Sequence, residues 1–106
     1  MKVTILGSGT MVPSNKRNSS GVLVEHENTC SMVDFGYGSM HNLLKKGLTY
    51  HDIDRIYFTH NHPDHICDLV PFLFASRYPK DPRMKDLEII GGPGFKRFFD
   101  NLMQAY

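Results

Sequence analysis

The sequence has little of what would assign it to a specialised class of protein. Its 106 residues carry 12 Lys and Arg against 11 Asp and Glu, so a formal net charge of +1 indicates no strongly charged partner. Only two cysteines are present, Cys30 and Cys67, which is too few for a disulfide framework. We therefore expect two buried thiols in a reducing compartment.

The sequence also has no apolar run of membrane-spanning length and no visible targeting leader, because Met1 and Lys2 run directly into an alternating strand pattern. These absences predict a cytoplasmic protein with no membrane partner. A hydrophobic content of 41% and a charged content of 22% are typical of a globular domain and disfavour disorder. The length suits one domain at most, over residues 1–106.

What the sequence does have is a concentration of metal-ligand side chains directly after an apolar run. Residues 55–59 are rich in β-branched and aromatic side chains and predict a strand that ends at the first histidine of the cluster. Half of the six histidines fall within six residues, and imidazole and carboxylate are ligands for zinc, iron and manganese. The candidate metal ligands are His60, His62, Asp64 and His65.

The spacing of these donors indicates two pairs. In an extended backbone His60 and His62 point the same way, and Pro63 disfavours helix at His62. Asp64 and His65 then turn away and form the second pair. Cys67 is an alternative ligand, although a core position at the start of a helix is the more typical place for such a thiol.

The segment T-H-N-H-P-D-H resembles the H-x-H-x-D-H signature of the metallo-β-lactamase-fold hydrolases and matches it at all four ligand positions. The opening narrows the resemblance, because Leu6–Thr10 followed by Pro13 and Arg17-Asn18 is similar to the start of the ribonuclease Z-like branch. Val33–Gly36 resembles the D-x-G turn of that branch. The similarity runs from residue 3 to about the end of the chain.

The resemblance implies two metal ions, which we expect to be zinc, with manganese or iron as alternatives. It gives His60 and His62 to one ion and Asp64 and His65 to the other, and it makes Asp34 a support for the metal loop. Lys16 and Arg17 then lie in a loop near the mouth of the active site, where they contact a phosphate or sulfate. The alternative for that loop is a solvated surface segment.

The function implied is that of a metal-dependent hydrolase, acting on a phosphodiester or related anionic ester through a water activated by the two metals and oriented by Asp64. The alternative is a truncated metal-binding fragment or interaction module without catalysis. A nucleic-acid-binding module supported by Lys16 and Arg17 ranks last, because the net charge of +1 does not indicate a docking surface for nucleic acid.

No histidine follows His65, whereas complete members of the family take further histidines and a bridging aspartate from later in their sequence. The resemblance therefore covers only the N-terminal half of the family fold. We expect a homodimer, or a C-terminal half, to supply what this part of the fold lacks.

The predicted fold class is α+β, with a mixed sheet and helices on one face, as in the N-terminal half of an αββα sandwich. A Gly-Ser-Gly turn is expected after the first strand, a two-residue hairpin connection at Glu27-Asn28, and a helix beginning at a Ser39 cap. The predicted strands are 2–6, 21–26, 29–34, 55–59 and 87–90. The predicted helices are 39–46, one after His65 that runs through about Ser76 and is bent or starts near Pro71, and 95–106.

Overall fold

A computed structural model describes all 106 residues and contains one five-stranded sheet, in the order β1-β2-β3-β4-β5, with four helices. The elements in chain order are β1 Lys2–Gly7, β2 Gly21–His26, β3 Thr29–Val33, α1 Ser39–Leu44, β4 Arg55–Tyr57, α2 Pro63–Ile66, α3 Leu69–Ser76, β5 Glu88–Ile90 and α4 Phe95–Ala105.

The sheet is mixed because its two halves are connected differently. β1, β2 and β3 pair antiparallel, and β2 and β3 form the predicted hairpin in which Glu27 adopts a φ of 54°. β4 and β5 then pair parallel to β3 and to each other, since helical segments cross between them. This arrangement confirms the mixed sheet expected from the sequence.

The hydrophobic core lies on one face of the sheet. Leu23, Met32 and Ile56 occupy paired positions on three neighbouring strands and are fully buried. The helices cover this face, with side chains from α1, α3 and α4 in or against the same cluster: Leu43, Leu69, Phe72, Phe95, Phe99 and Leu102. Because successive strand residues point to opposite faces, the residues between these core positions point away from the helices.

That second face carries a continuous apolar row across all five strands. Paired positions place five residues in line, which we call the open-face row: Ile5, Val22, Val33, Tyr57 and Ile90. Ile5 is 62% exposed and Tyr57 is 39% exposed. This row is therefore open to solvent at Ile5 and Tyr57, whereas Val22, Val33 and Ile90 are half-buried.

The prediction that Ser39 caps α1 is wrong. The N-cap residue is Gly38, with a φ of 92°, and the Ser39 hydroxyl is buried without a hydrogen-bond partner. The first turn is instead capped from a distance, because Asp68 Oδ2 accepts the Met40 N–H at 2.9 Å. A carboxylate satisfies an unpaired helix N–H and favours the positive end of the helix dipole, but this contact spans 28 residues of sequence.

The helix predicted after His65, bent or starting near Pro71, is two helices in the structure. His65 itself lies within the short helix α2, and α3 begins only at Leu69 and ends at Ser76 as predicted. Pro71 falls in the first turn of α3, where the missing N–H of proline costs no hydrogen bond.

The Gly-Ser-Gly segment does not form the expected turn. Neither Gly7 nor Gly9 has a positive φ, and the need for glycine comes from close packing. A Cβ at Gly7 would clash with the Ser19 carbonyl oxygen, and the Gly9 N–H donates to the Asn18 carbonyl at 2.6 Å. Loop 15–19 therefore lies directly against the end of β1.

The structure also bears on the predictions made for the two cysteines and for membrane-spanning segments. Cys30 and Cys67 are both free thiols, but each is half-buried where the sequence predicted a buried position. None of the four helices has the length and apolar content that a bilayer crossing requires.

Candidate metal centre

The histidine-rich loop leaves the sheet at the end of β4. Phe58 is buried and donates its N–H to the Ile90 carbonyl at 2.8 Å, which fixes the chain just before the loop. His62 is extended, with φ −67° and ψ 149°, and Pro63 is the first residue of α2. The backbone thus changes from extended to helical between the two predicted donor pairs.

The loop brings the four candidate ligands into one cluster. The ring centroids of His60 and His62 are 4.7 Å apart, and those of His60 and His65 are 4.1 Å apart. His65 Nε2 lies 3.5 Å from Asp64 Oδ2. His60 and His62 are exposed, whereas Asp64 and His65 are half-buried, so the cluster opens to solvent on the side of the first pair.

Asp34 lies beneath this cluster and connects it to the sheet. The residue follows β3, is 3% exposed and adopts a left-handed φ of 61°, which is uncommon for a non-glycine residue. Its Oδ2 lies 2.7 Å from His65 Nδ1, and its Oδ1 accepts the Thr59 N–H at 2.9 Å. If His65 donates through Nδ1, its Nε2 retains the lone pair that a metal requires.

Thr59 extends the same arrangement to the first histidine. Its hydroxyl donates to Asp34, with Oγ1 2.9 Å from Oδ2, and lies 3.0 Å from His60 Nδ1. A hydroxyl that donates to a carboxylate can accept from an imidazole N–H, which leaves His60 Nε2 available as a ligand. Sequence reasoning missed Thr59, although a hydroxyl residue directly before the first histidine was visible.

The donor set fits a divalent transition metal because it combines a carboxylate with imidazole rings. Two of these rings, His60 and His65, have a partner at Nδ1 that orients them. The fit is partial. No group of three or more His, Cys, Asp or Glu side chains is arranged to hold an ion. Burial raises the pKa of the Cys67 thiol and favours its neutral form in the metal-free chain.

The other three histidines do not complete the cluster. His51 contacts Asp81 at 3.1 Å, and His26 lies at the hairpin end beside Glu27. His41 is exposed on α1. These three histidines therefore add no donor to the cluster.

Lys16 and Arg17 lie apart from the histidine cluster. Both are exposed and line a cavity at the end of β1, and none of residues 59–65 lines that cavity.

Asp68, three residues after His65, is 8% exposed. Burial raises the pKa of its carboxyl, although the Met40 N–H favours the charged form.

The chain has the metallo-β-lactamase class of fold, which is defined by the mixed sheet, the helices on one face and the H-x-H-x-D-H loop after a strand. It resembles the N-terminal half of the ribonuclease Z-like members of that class. More specifically, the family model described as Anti-Pycsar protein Apyc1 matches residues 1–91, and the chain belongs to that family. These findings confirm the fold class and the resemblance expected from the motifs.

Individual relatives show the same similarity. Ribonuclease Z of Brevibacillus brevis is 36% identical over 107 residues, which cover 99% of this chain and 33% of that protein. The crystal structure of human tRNase Z, short form, is 33% identical with a TM-score of 0.79, covering 99% of this chain and 39% of the other. The metallo-beta-lactamase fold protein YhfI from Bacillus subtilis is 26% identical with a TM-score of 0.80, covering 94% and 40% respectively. The chain thus spans about a third of the length of the ribonuclease Z relative.

Proposed function

We propose that the chain contributes the metal-binding half of a hydrolase that acts on phosphodiesters or related anionic esters. The observation that carries this proposal is the cluster of His60, His62, Asp64 and His65, in which neighbouring rings lie 4.1 and 4.7 Å apart. His60 and His62 are the ligands of one ion, and Asp64 and His65 are those of a second. Zinc suits this donor set, and manganese and iron share its ligand types.

Each residue of the cluster has a distinct task in this proposal. Asp34 holds the His65 ring through a 2.7 Å contact, and Thr59 holds the His60 ring at 3.0 Å, so both rings keep one orientation. Asp64, half-buried beside His65, is placed to accept a proton or a hydrogen bond from a water at the cluster. A metal bound there supplies Lewis-acid polarisation of the ester and lowers the pKa of water.

The phosphodiester preference rests on the relatives. The proteins named ribonuclease Z and tRNase Z are, by those names, RNA-cleaving enzymes, and both are at least 33% identical to this chain.

The remaining metal ligands come, in this proposal, from a second copy of the chain or from a further segment of a longer protein. His26, His41 and His51 are placed elsewhere, so each metal has two donors from this chain. Two donors generally hold an ion weakly, because catalytic zinc typically has three protein ligands. The open-face row is where a second copy of the chain would pack.

The alternative function is a metal-binding interaction module without catalysis. One observation favours it, namely that no three donors are arranged around a common point. Metal binding and hydrolysis therefore need separate measurements.

The first measurement is metal content. After equilibration with zinc and dialysis against a mild chelator, the parent chain should retain zinc, and the His60→Ala/His62→Ala variant should lose most of it. His41→Ala is the matched control, since it removes an exposed histidine outside the cluster. Equal zinc in the parent and the double variant would remove His60 and His62 from the site.

The second measurement is hydrolysis of bis(p-nitrophenyl) phosphate with added zinc or manganese. We expect slow turnover, abolished in Asp64→Ala. If a second copy completes the site, the rate per mole of protein should rise with protein concentration. Turnover that is equal in the parent and Asp64→Ala does not arise from this cluster. A parent that binds metal but shows no turnover would favour the interaction module.

A further inference from the structure

A cavity of about 590 Å³ lies between α1, the segment that leads into β4 and the start of α3. None of residues 59–65 lines it, and neither Lys16 nor Arg17 does. Its lining is mostly apolar and aromatic but includes one acid. The lining side chains that matter here are Tyr37, Met40, His41, Leu44, Tyr50 and Asp68.

Asp68 is the only acidic residue in this lining and is 8% exposed. Its backbone is fixed on both sides, because its N–H donates to the Phe35 carbonyl at 3.1 Å and its carbonyl accepts the Phe72 N–H at 3.0 Å. Phe35 and Phe72 are fully buried and pack edge to face, with ring centroids 5.4 Å apart. The carboxylate is therefore held rigidly at the wall of the cavity.

No cation neutralises this carboxylate. Asp68 takes part in none of the ion pairs of the chain, and no Lys or Arg lines the cavity. His41 lines it but is exposed and forms no ion pair with Asp68. The Met40 N–H is a neutral donor, and burial raises the pKa of the carboxyl. A buried carboxylate of this kind is stabilised by a positively charged donor that reaches it.

Tyr37 and Tyr50 give the cavity two aromatic walls. Tyr37 is 64% exposed, so its ring is accessible to a ligand. The Tyr50 hydroxyl donates to the Asp81 carbonyl at 2.6 Å, and Asp81 does not line the cavity, so the ring is what Tyr50 contributes. Met40 and Leu44 add apolar surface. The face of a tyrosine ring attracts a cation, and its area suits an apolar group.

We propose that this cavity binds a small organic amine, whose protonated amino group pairs with Asp68 and whose apolar body packs against Tyr37, Tyr50, Met40 and Leu44. The lining disfavours the other simple classes of ligand. An anion would meet a carboxylate of the same sign, and an uncharged apolar molecule would bury that carboxylate further without a partner. The volume lies within the range for small-molecule pockets.

This site goes beyond the proposed hydrolysis and does not depend on it, because it uses none of the candidate metal ligands. Phenethylamine is the probe, since it combines one ammonium with one aromatic ring, and 2-phenylethanol has nearly the same shape without the charge. Nitrogen–proton correlation spectra follow each titration at neutral pH and constant ionic strength. We expect phenethylamine to shift the Met40, Thr49 and Tyr50 amide signals and to bind at least about tenfold more tightly than 2-phenylethanol.

The decisive variant is Asp68→Asn, because asparagine still offers an oxygen to the Met40 N–H but carries no charge. We expect the dissociation constant of phenethylamine to rise about tenfold to a hundredfold, the scale of a hydrogen bond between charged groups. The affinity for 2-phenylethanol should not fall. Asp86→Asn is the matched control, since Asp86 is an exposed acid outside the cavity, and it should bind phenethylamine as the parent does.

Tyr37→Leu tests the aromatic wall and decides the question if Asp68→Asn does not fold, which circular dichroism reports. Leucine keeps an apolar side chain but removes the ring, so the dissociation constant of phenethylamine should rise about twofold to fivefold. Tyr78→Leu is its control, because Tyr78 is 52% exposed and lies outside the cavity.

Three results would overturn the proposal. The first is a parent chain that does not bind phenethylamine, and the second is a parent that binds both probes equally. The third is a folded Asp68→Asn variant that binds phenethylamine as tightly as the parent or, where that variant does not fold, equal binding by Tyr37→Leu and Tyr78→Leu.

Discussion

Asp34 Oδ2 lies 2.7 Å from His65 Nδ1, and this contact connects the end of β3 to the histidine-rich loop after β4. The carboxylate reaches the loop because Asp34 adopts a φ of 61°, a conformation that costs about 1–2 kcal/mol for most residues. The same carboxylate accepts the Thr59 N–H and hydroxyl, so one buried acid fixes both ends of the loop.

Asp34→Asn tests the orienting role of this carboxylate. Asparagine tolerates the left-handed conformation, so the variant removes the charge without adding backbone strain. We expect zinc affinity to fall about 10- to 100-fold, the usual effect of removing a group that orients a metal-bound histidine. Competition with a chromophoric chelator measures the affinity.

A second readout separates positioning from general destabilisation. In the metal-free chain, long-range nitrogen–proton correlation spectra should report the Nδ1-protonated tautomer of His65 in the parent and a mixture in Asp34→Asn. Asp86→Asn is the control, because Asp86 is an exposed acid outside the cluster. Unchanged zinc affinity and an unchanged tautomer in Asp34→Asn would show that Asp34 serves only the fold.

Thr59→Val tests whether the hydroxyl orients His60. Valine keeps the branched shape but removes the oxygen that lies 3.0 Å from His60 Nδ1. Loss of one such hydrogen bond should weaken zinc binding about twofold to tenfold. Thr59→Ser retains the hydroxyl and should bind zinc as the parent does, so equal weakening in both variants would contradict the role assigned to Thr59.

The features predicted correctly from the sequence are those determined by residues that are close together in the chain. The hairpin followed from two apolar arms separated by Glu27-Asn28, and α4 followed from apolar residues at helical spacing after Gly94. The extended backbone at His62 followed from Pro63. The donor cluster was visible because its members are adjacent in sequence.

What sequence reasoning missed depends on contacts between distant segments. Asp68 replaces Ser39 as the cap of α1 across 28 residues, and no local preference encodes that contact. The glycines at positions 7 and 9 were expected to allow a turn, but they are required because loop 15–19 packs against them. The cavity lined by Lys16 and Arg17 is likewise formed by segments that are separate in sequence.

Asp68 gives the folded chain a specific dependence on pH. Burial raises the pKa of its carboxyl, so the folded chain binds this proton more tightly than the unfolded chain does. The Asp68 contribution to the free energy of unfolding is therefore largest in acid and decreases as the pH rises from about 3.9 towards the raised pKa. Asp68→Asn should lack this decrease, which urea denaturation at a series of pH values measures.

Asp68→Ala separates the capping role from the titration. Alanine removes the acceptor for the Met40 N–H and should lower the free energy of unfolding by about 1 kcal/mol in acid, as loss of a helix cap does, and by less above the raised pKa of Asp68, where the parent bears the cost of the buried charge. An alanine variant as stable as the parent would mean that the cap contributes nothing, and an asparagine variant with the parent's pH profile would assign that dependence to another group.

The open-face row predicts self-association. Ile5, Val22, Val33, Tyr57 and Ile90 form an apolar line across the sheet, and burial of such a surface against a second copy removes it from water. We expect light scattering to report a dimer at high concentration and a monomer on dilution. Ile5→Lys places a charge on a residue that is 62% exposed in the isolated chain and should raise the dissociation constant of the dimer about tenfold or more.

Val12→Lys is the matched control, because Val12 is 75% exposed but lies in the loop outside the sheet. It should leave the dimer intact, since it changes charge and hydrophobicity without touching the row. If the parent is a monomer at high concentration, or if Val12→Lys dissociates it as effectively as Ile5→Lys, the sheet face is not the dimer interface. In that case a second copy packed on this face cannot supply the missing metal ligands, and hydrolysis would require a longer protein to provide them.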